Sequence, residues 1–331
     1  MTKANLSCDL LRTRNLIKRT RKEAELPAGE RCIGLLLKMD LEKQAIERIR
    51  IASEMSLHHY GLPLVCTYSE GKDSDVMLEL FRRSGVPFEM VNSHTTVDAP
   101  PTVKYIRAVF AEFELQGIKC SIDYHIQPNG SRITMWNLIP KKLIPPTRLA
   151  RYCCLALKET YGKGRFISTG VRWDESLKRR EWGSISAPSI RLHATDEIML
   201  MNDNDIKRKL VEQCDIKGKM VVNPIIDWTH RDIWEFIRAE HIKTNTLYEC
   251  GYDRVGCIGC PMAGKHRWKE FADFPPYKRA YILAFDKMID ERRKRGKKLV
   301  WKNGKEAFLW WMEDPNIEGQ MDMFDDGFID E

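Results

Sequence analysis

The sequence has no apolar run of the length that a membrane span requires, and its first residues, MTKANLSCDLLRTR, contain no signal-peptide core. It also has no internal repeat and no low-complexity segment. These absences argue against membrane, secreted and repeat proteins, and they predict a cytoplasmic protein with no membrane partner. With 331 residues, 43% of them hydrophobic, the chain has enough apolar material for one or two domain cores.

Charge is distributed unevenly along the chain, whose formal net charge is +7. Residues 292–305 carry eight basic side chains and no acid, whereas residues 313–331 carry eight acids and no base. A second basic cluster, RTRNLIKRTRK, occupies residues 12–22. The two basic clusters, with Trp301 interleaved in the later one, fit a polyanionic partner such as nucleic acid; the alternative is a solvated helix face and a loop.

A polar stretch, YSEGKDSD at 68–75, separates an apolar run from a helical pattern. Helix N-termini bind anions because they present unpaired N–H groups and a partial positive charge. Gly71 lets the backbone approach a phosphate, Ser69 and Ser74 offer hydroxyls, and Lys72 can neutralise a phosphate oxygen. The stretch therefore predicts a phosphate site, with an ordinary polar turn as the alternative. It does not match the GxxxxGK[ST] pattern.

The spacing of apolar residues alternates between helical and extended patterns. It predicts helices at 41–60, 74–84, 101–116 and 150–160 and strands at 63–68, 87–92, 120–126 and 165–170. From about Asn223 the pattern is helical, with a long segment at 267–295. This order predicts an α/β fold with a mostly parallel sheet and helices on both faces. Ligands of such sheets bind beyond the carboxyl ends of the strands, where residues 68–75 would lie.

Two further polar stretches follow predicted strands, STGVRWDESLKRR at 168–180 and NSHTTVDAPPTVKYIR at 92–107. An arginine-rich loop after a parallel strand can clamp phosphate or sulfate; a salt-bridged, solvated helix start is the alternative. The candidate anion ligands in these stretches are Arg172, Ser176, Arg179, His94 and Thr95.

Ten cysteines in a chain of this kind favour metal ligands or reactive thiols over a disulfide framework. RYCC at 151–154 and VGCIGC at 255–260 together supply four thiols, the number that suits tetrahedral zinc or an iron–sulfur cluster. Adjacent cysteines point in different directions, so a bulkier cluster accommodates them more easily than zinc does. The alternative is that these cysteines are small buried hydrophobes. Cys250 is a separate candidate for a reactive thiol.

These stretches together resemble the phosphoadenosine phosphosulfate (PAPS) reductase family of the HUP-like adenine nucleotide alpha hydrolase superfamily. YSEGKDS resembles its SGGKDS pyrophosphate loop, or PP-loop, with Glu70 in place of the first Gly. STGVRWDES resembles its Gly-x-Arg-x-x-Glu-Ser motif, and NPIIDWTHRDIWEFI at 223–237 its Pro-x-x-Asp-Trp-Thr segment. The CC and CxxC pairs resemble the cluster ligands of its iron–sulfur members. The resemblance covers about residues 40–285.

The resemblance implies an ATP-binding or sulfonucleotide-binding enzyme with Mg²⁺ and a 4Fe-4S cluster. It implies catalytic roles for Lys72, Asp73 and Arg172 and cluster ligation by Cys153, Cys154, Cys257 and Cys260. We add Cys250 as a catalytic candidate. The implied nucleotide-binding residues are Ser69, Glu70, Gly71, Lys72, Asp73, Ser74, His94, Thr95, Gly170, Arg172, Ser176 and Arg179. Because a carboxylate repels phosphate, we expect Glu70 to point outward or to bind the metal.

Reductases of this family attack the bound sulfonucleotide with a cysteine on a C-terminal tail, whereas the last cysteine here is Cys260. We therefore expect ATP-activated sulfur transfer to a nucleic acid, with a sulfur donor protein as a candidate partner. The alternatives are a PAPS or adenylyl-sulfate reductase that releases sulfite and a non-catalytic nucleotide-binding module with structural zinc. The predicted organisation is a basic extension at 1–40, a nucleotide-binding domain at 41–222, a helical cluster-binding part at 223–312 and an acidic tail at 313–331.

Overall fold

The computed structural model describes residues 28–127, 129–175, 211–214 and 219–313, and it describes side chains within 41–127, 129–175 and 219–313. The chain divides into two compact units, each discontinuous in sequence. The first unit takes in the chain up to Ser93, Pro101–Asp123 and Tyr161–Val255, and the second takes in His94–Pro100, Tyr124–Thr160 and the chain from Gly256. The predicted domain limits do not coincide with this division and stay a prediction.

A six-stranded sheet organises the first unit. Its strands are β1 (Leu64–Thr67), β2 (Phe88–Ser93), β3 (Cys120–Asp123), β4 (Phe166–Ser168), β5 (Val211–Cys214) and β6 (Lys219–Val222), in the order β3-β2-β1-β4-β6-β5. Five strands are parallel, and β5 alone pairs antiparallel with β6. The predicted α/β class with a mostly parallel sheet is confirmed. Our strand prediction ended at residue 170 and missed β5 and β6.

The helices of the first unit are α1 (Ala28–Tyr60), α2 (Lys72–Ser84), α3 (Pro100–Leu115) and α6 (His230–Ala239). Their apolar side chains form the main core with Leu64 and Cys66 of β1. Val65, which points to the opposite face of the sheet, belongs to a smaller cluster with Val91 and Ile167. Gly85 ends α2 in the left-handed conformation, with φ of 70°.

The second unit contains α4 (Met135–Lys142), α5 (Tyr152–Leu157), α7 (His266–Asp273), α8 (Pro275–Lys294) and α9 (Gly304–Met312). The single helix predicted at 267–295 is two helices, because Pro275 lacks an N–H and disfavours helical geometry in the residue before it. Residues 141 and 142 end α4. None of the helices in the described ranges has the length and hydropathy needed to cross a membrane.

The chain order across the sheet places two loops side by side. From β1 the chain moves outward to β2 and β3, and it then returns to the other side of β1 as β4. The segments that follow β1 and β4 therefore leave the same edge of the sheet at the point where the strand order reverses. Parallel α/β sheets bind ligands at such a reversal. The polar stretches at 68–75 and 168–180 begin there.

Candidate active site

The loop between β1 and α2 presents the start of a helix at the edge of the sheet. Gly71 is the N-cap residue of α2, with an extended backbone, and as a glycine it provides no side-chain cap. The backbone N–H and the hydroxyl of Ser74 both donate to the Gly71 carbonyl, each at 2.8 Å. The hydroxyl of Ser69 lies 3.5 Å from that of Ser74. The loop therefore places two hydroxyls and a helix N-terminus around one glycine, although the N–H and hydroxyl of Ser74 already have an acceptor in the Gly71 carbonyl.

Asp73 joins two cations that come from neighbouring loops. Its carboxylate lies 3.0 Å from Lys72 Nζ and 2.7 Å from Arg172 Nε. Arg172 is 3% exposed, and its Nη1 also donates to the Trp228 carbonyl at 3.2 Å and lies 3.6 Å from Asp174. Lys72 and Arg172 share the Asp73 carboxylate, and Asp174 adds a second carboxylate near Arg172, so the formal charges of these four side chains balance.

Thr169 and Gly170, the first two residues after β4, begin a loop that lies close to α2. A Cβ on Gly170 would lie 3.4 Å from the Cβ of Asp73, so any larger side chain there would press against α2. Thr169 is fixed by donating its hydroxyl to Asn223, which follows β6. These contacts place the predicted nucleotide-binding residues Gly170 and Arg172 beside Asp73.

Glu70 does not point outward, and that prediction is wrong. Its side chain is completely buried, and its Oε2 accepts a hydrogen bond of 3.1 Å from Asn245 Nδ2. Asn245 also donates to Thr102 Oγ1 at 3.1 Å. The backbone of Glu70 has φ of 61°, the left-handed region that favours glycine. The buried carboxylate therefore anchors the loop to Asn245. Metal binding by Glu70 stays a prediction.

A buried acid lies one turn into α2. Asp75 is 4% exposed, and Tyr68 Oη donates to its Oδ1 at 2.5 Å. Among the described residues, Asp75 Oδ2 has no hydrogen-bond partner. Burial raises the pKa of Asp75 to about 7, against the opposing effect of the Tyr68 hydrogen bond and with a smaller contribution from Asp73.

The structure adds residues that our sequence reasoning missed. His230, at the start of α6, has its pKa lowered by burial and then by Lys72 and Arg172, which identifies it as a neighbour of both cations. Its backbone N–H donates to Asp174 at 2.8 Å. Tyr248 accepts a hydrogen bond of 2.9 Å from the backbone N–H of Lys72. His230 lies in the 223–237 segment that carries part of the family resemblance, so the sequence did point to its neighbourhood. Tyr248 lies far along the chain in a segment without periodicity, and no sequence pattern indicated it.

The second unit brings together the four predicted cluster ligands. The thiols of Cys154, Cys257 and Cys260 all raise the pKa of the Cys153 thiol. Hydrogen bonding from Cys153, together with Arg151 and Lys158, lowers the pKa of Cys154, and Arg151 Nη2 lies 3.5 Å from its sulfur. The four cysteines therefore share one neighbourhood, although their sequence positions are about a hundred residues apart.

The segment around the CxxC pair is shaped by Gly259, between the two cysteines. Its φ is 74°, and a Cβ there would come within 2.6 Å of Phe271 and 2.9 Å of Trp311. Its N–H donates to Glu270 at 2.6 Å. Only glycine fits between these rings, so the turn between Cys257 and Cys260 can pack against the aromatic core.

The donor set fits a thiolate-ligated cluster in its chemistry. Four thiols stand with two cations, Arg151 and Lys158, whose charge would offset that of thiolate ligands. In the part of the chain that the structure describes, no three His, Cys, Asp or Glu side chains are arranged to hold a single metal ion. Cluster ligation therefore stays a prediction.

Of the other predicted site residues, three lie within the described residues and two lie outside them. Cys250 belongs to the first unit, where its N–H donates to the Thr246 carbonyl at 3.2 Å. His94 and Thr95 belong to the second unit, and Thr95 Oγ1 accepts from Cys257 Sγ at 3.4 Å. Ser176, Arg179 and the basic cluster at 12–22 lie outside the described residues.

The basic stretch at 292–305 is less available than its sequence indicated. Arg292 is 2% exposed and donates to the Leu143 carbonyl at 2.7 Å. Trp301 is 4% exposed and packs on Trp310, with ring centroids 4.9 Å apart. The interpretation of Trp301 as an aromatic residue interleaved for a polyanion is wrong, because its ring is needed for packing.

Acids from the preceding turn of α8 neutralise part of the same stretch. Arg293 pairs with Asp290 at 2.7 Å. Lys294 and Arg295 pair with Glu291 at 2.7 and 3.7 Å. These are exposed pairs, so each contributes little to stability and a polyanion can compete for the cations.

The strand order and the position of the loop at the end of β1 define an α/β protein with an adenine nucleotide alpha hydrolase-like fold. Residues 63–263 match the phosphoadenosine phosphosulfate reductase domain. The chain belongs to that family, and the predicted family is confirmed.

Similar proteins include both named and uncharacterized members. The chain is 26% identical over 175 residues to an uncharacterized 37.8 kDa protein of Escherichia phage 186, covering 52% of this chain and 47% of the phage protein. It is 24% identical over 227 residues to the adenosine 5'-phosphosulfate reductase of Staphylococcus saprophyticus, covering 68% of this chain and 79% of the reductase. The chain thus spans about half the length of the first of these relatives.

One solved structure has a low similarity to the chain. The U34-tRNA thiolase NcsA from Methanococcus maripaludis, with its 4Fe-4S cluster, has a TM-score of 0.42 and 13% identity, covering 80% of this chain and 83% of the thiolase.

Proposed function

We propose that the chain binds the phosphates of ATP in the loop at 68–75 and uses ATP to activate an oxygen of a nucleic acid for replacement by sulfur. The proposal that ATP binds here rests on the Lys72–Asp73–Arg172 network at the N-terminus of α2. It combines a helix N-terminus with two cations at the reversal point of a parallel sheet. An incoming phosphate would compete with Asp73 for both cations.

The carboxylates around this network favour a nucleotide that brings Mg²⁺. Asp73 and Asp174 both lie within 4 Å of Arg172. Carboxylates repel a bare polyphosphate, but they are ligands that Mg²⁺ accepts together with phosphate oxygens. Arg172 would then hold the phosphate, while Asp73 and Asp174 would hold the metal.

The cysteine neighbourhood supports sulfur chemistry in the second unit. We propose that Cys153, Cys154, Cys257 and Cys260 hold a 4Fe-4S cluster, with one cysteine for each iron. Thr95, which accepts from Cys257, would position that ligand. Cys250 is proposed as a separate thiol that handles the sulfur to be transferred.

A second candidate function is reduction of adenylyl sulfate or PAPS to sulfite. The similarity to the Staphylococcus saprophyticus reductase, over 68% of this chain, favours this candidate. The phosphate loop and Arg172 would serve either nucleotide, because sulfate and phosphate present similar anionic oxygens.

The products distinguish these functions. Anaerobically purified protein is incubated with ATP and Mg²⁺ and a sulfide donor, with transfer RNA or duplex DNA, and separately with adenylyl sulfate or PAPS and a thiol. Transfer predicts AMP or pyrophosphate and a thiolated nucleic acid. Sulfite release without nucleotide hydrolysis would establish the reductase. A colourless zinc protein without either activity would establish the binding module with structural zinc.

A further inference from the structure

The hydroxyl of Tyr248 lies against the proposed phosphate loop. The backbone N–H of Lys72, the first residue of α2, donates to Tyr248 Oη at 2.9 Å. The same oxygen lies 3.8 Å from the position that a Cβ on Gly71 would take. The phenol therefore stands beside the two residues whose backbone would meet a phosphate oxygen.

The turn that carries Tyr248 is anchored to the same loop. The Tyr248 N–H donates to the Asn245 carbonyl at 3.1 Å, and the Asn245 side chain reaches Glu70. On the other side, the ring of Trp234 meets the Tyr248 ring edge to face, with centroids 5.2 Å apart. Because both the turn and the ring are fixed, the hydroxyl is held at one place relative to Gly71.

In the recorded hydrogen bonds the Tyr248 hydroxyl acts as an acceptor, so its own proton can be donated to a ligand. Lys72 N–H donates to the oxygen, and the backbone of Val255 also hydrogen-bonds to the phenol. Burial raises the pKa of Tyr248, so the hydroxyl keeps its proton at neutral pH. Among the described residues, the structure records no acceptor for this proton. An N–H that donates to an oxygen polarises its O–H and strengthens the hydrogen bond which that O–H donates.

We propose that Tyr248 donates its hydroxyl proton to an anionic oxygen of the nucleotide bound in the loop at 68–75. This inference rests on the proposed nucleotide site. The role requires the hydroxyl and not the ring, and it applies to ligands that carry a phosphate or sulfate. Adenosine, which has no anionic group, would gain nothing from it.

If the Tyr248 hydroxyl only holds the place of a phosphate oxygen, its removal is expected to have the opposite effect on phosphate binding. If the phenol only occupied the Lys72 N–H until a phosphate took it, binding would have to break that bond first. Removal of the hydroxyl would then leave the N–H available and strengthen phosphate binding. The two roles therefore differ in the sign of the effect of Tyr248→Phe.

The test is the binding of ATP, adenylyl sulfate and adenosine to the full chain and to Tyr248→Phe, measured by calorimetric titration. Tyr161→Phe, in the same unit, is the matched control for loss of a phenol hydroxyl. For the anionic nucleotide that the wild-type chain binds more tightly, we expect Tyr248→Phe to weaken binding by about tenfold or more, the range for a hydrogen bond to a charged group. Adenosine binding and the Tyr161→Phe control should stay unchanged.

Three results would overturn the inference. Unchanged or tighter anion binding by Tyr248→Phe would exclude donation, and the tighter result would show that the hydroxyl only holds the place of a phosphate oxygen. Equal weakening of adenosine and of the anionic nucleotide would show a structural role of the side chain. Wild-type protein that binds neither ATP nor adenylyl sulfate would overturn the proposed function itself and this inference with it.

Discussion

At the scale of single residues, the balance between Lys72, Asp73 and Arg172 decides how strongly the loop attracts an anion. Lys72→Ala removes one of the two cations and leaves Asp73 paired with Arg172 alone. A charge-assisted hydrogen bond contributes about 1.5–3 kcal/mol, so we expect nucleotide affinity to fall about tenfold to a hundredfold. Calorimetric titration measures the change.

The matched control is Lys119→Ala, which removes a lysine that pairs with Glu89 at 3.3 Å on the surface. It should leave nucleotide affinity unchanged, because exposed ion pairs of this kind act only locally. If the double variant Lys72→Ala and Ser74→Ala keeps both affinity and turnover, the phosphate loop lies elsewhere.

Asp75 makes the stability of the first unit depend on pH. Its pKa is about 7 in the folded chain and about 3.9 in an unfolded one, so between these values the folded state binds the extra proton. The free energy of unfolding therefore falls as pH rises through this window, by about 1.4 kcal/mol for each unit of pKa shift. Asp75→Asn cannot titrate and keeps an oxygen that accepts from Tyr68.

Urea unfolding of both proteins at pH 4.5 and 7.5 measures this effect. We expect Asp75→Asn to gain stability over the wild-type chain as pH rises, with most of the gain above pH 4.5. Other titrating groups cancel in the difference between the two proteins. A difference that is the same at both pH values would show that Asp75 ionises normally.

At the scale of elements, the start of α5 and the CxxC segment supply the four predicted cluster ligands. We expect about four iron and four sulfide per chain after anaerobic purification, by the four-thiolate rule. Cys153→Ser or Cys257→Ser should abolish this content, because each removes one ligand. Iron, sulfide and zinc analysis of the purified variants checks the prediction.

Two thiols of the first unit serve as controls for the cluster. Cys120→Ser, in β3, should change neither metal content nor activity. Cys250→Ser should keep the cluster and lose activity, as the sulfur-handling role requires. Loss of iron in Cys250→Ser would show that Cys250 is a cluster ligand. Near-stoichiometric zinc in the wild-type chain would show that the four cysteines form a structural zinc site and not a cluster.

Elements with strong periodicity could be predicted from the sequence, and those shaped by packing could not. The apolar face of α2 and its helix-ending Gly85 were readable, and only its start, at Lys72, differs by two residues. In contrast, α4 contains Pro140 and two terminal lysines, so its sequence indicates a loop. Its side chains Leu138 and Ile139 are buried, and burial of this kind is not visible in local sequence.

The same division holds for the candidate site. The residues of the loop at 68–75 form one continuous stretch, so their proximity was predictable from spacing. Asn245 and Tyr248 reach this loop from about 175 residues away, through a turn that has no periodicity. Glu70 was read by charge repulsion alone, whereas its left-handed backbone turns the side chain into the core.

At the scale of the whole molecule, the net charge of +7 favours contact with a polyanion. The strength of that contact depends on where the charges lie on the surface. The basic stretch at 292–305 contributes less than its eight charges imply. Arg292 is buried, and three of its neighbours pair with acids. A nucleic acid that binds here must therefore exchange protein carboxylates for its own phosphates.

We expect the triple variant Arg293→Gln, Lys294→Gln and Arg295→Gln to flatten the salt dependence of nucleic-acid binding. The log–log slope on duplex DNA is about −0.9 for each contacted phosphate, so the slope should become less negative by up to about 2.7. ATP affinity should stay the same, because Lys72 and Arg172, the cations proposed to hold the phosphates, are unchanged. Fluorescence anisotropy over a series of salt concentrations measures the slope.

The control triple Lys104→Gln, Lys119→Gln and Lys163→Gln removes the same charge from exposed positions of the first unit. It separates a local contact from a general effect of net charge, because both variants lower the charge by three. Equal slopes for the two triples would assign the binding to net charge alone. A wild-type chain without any salt-dependent binding would remove nucleic acid as the acceptor, and sulfite release from adenylyl sulfate or PAPS would then establish the reductase.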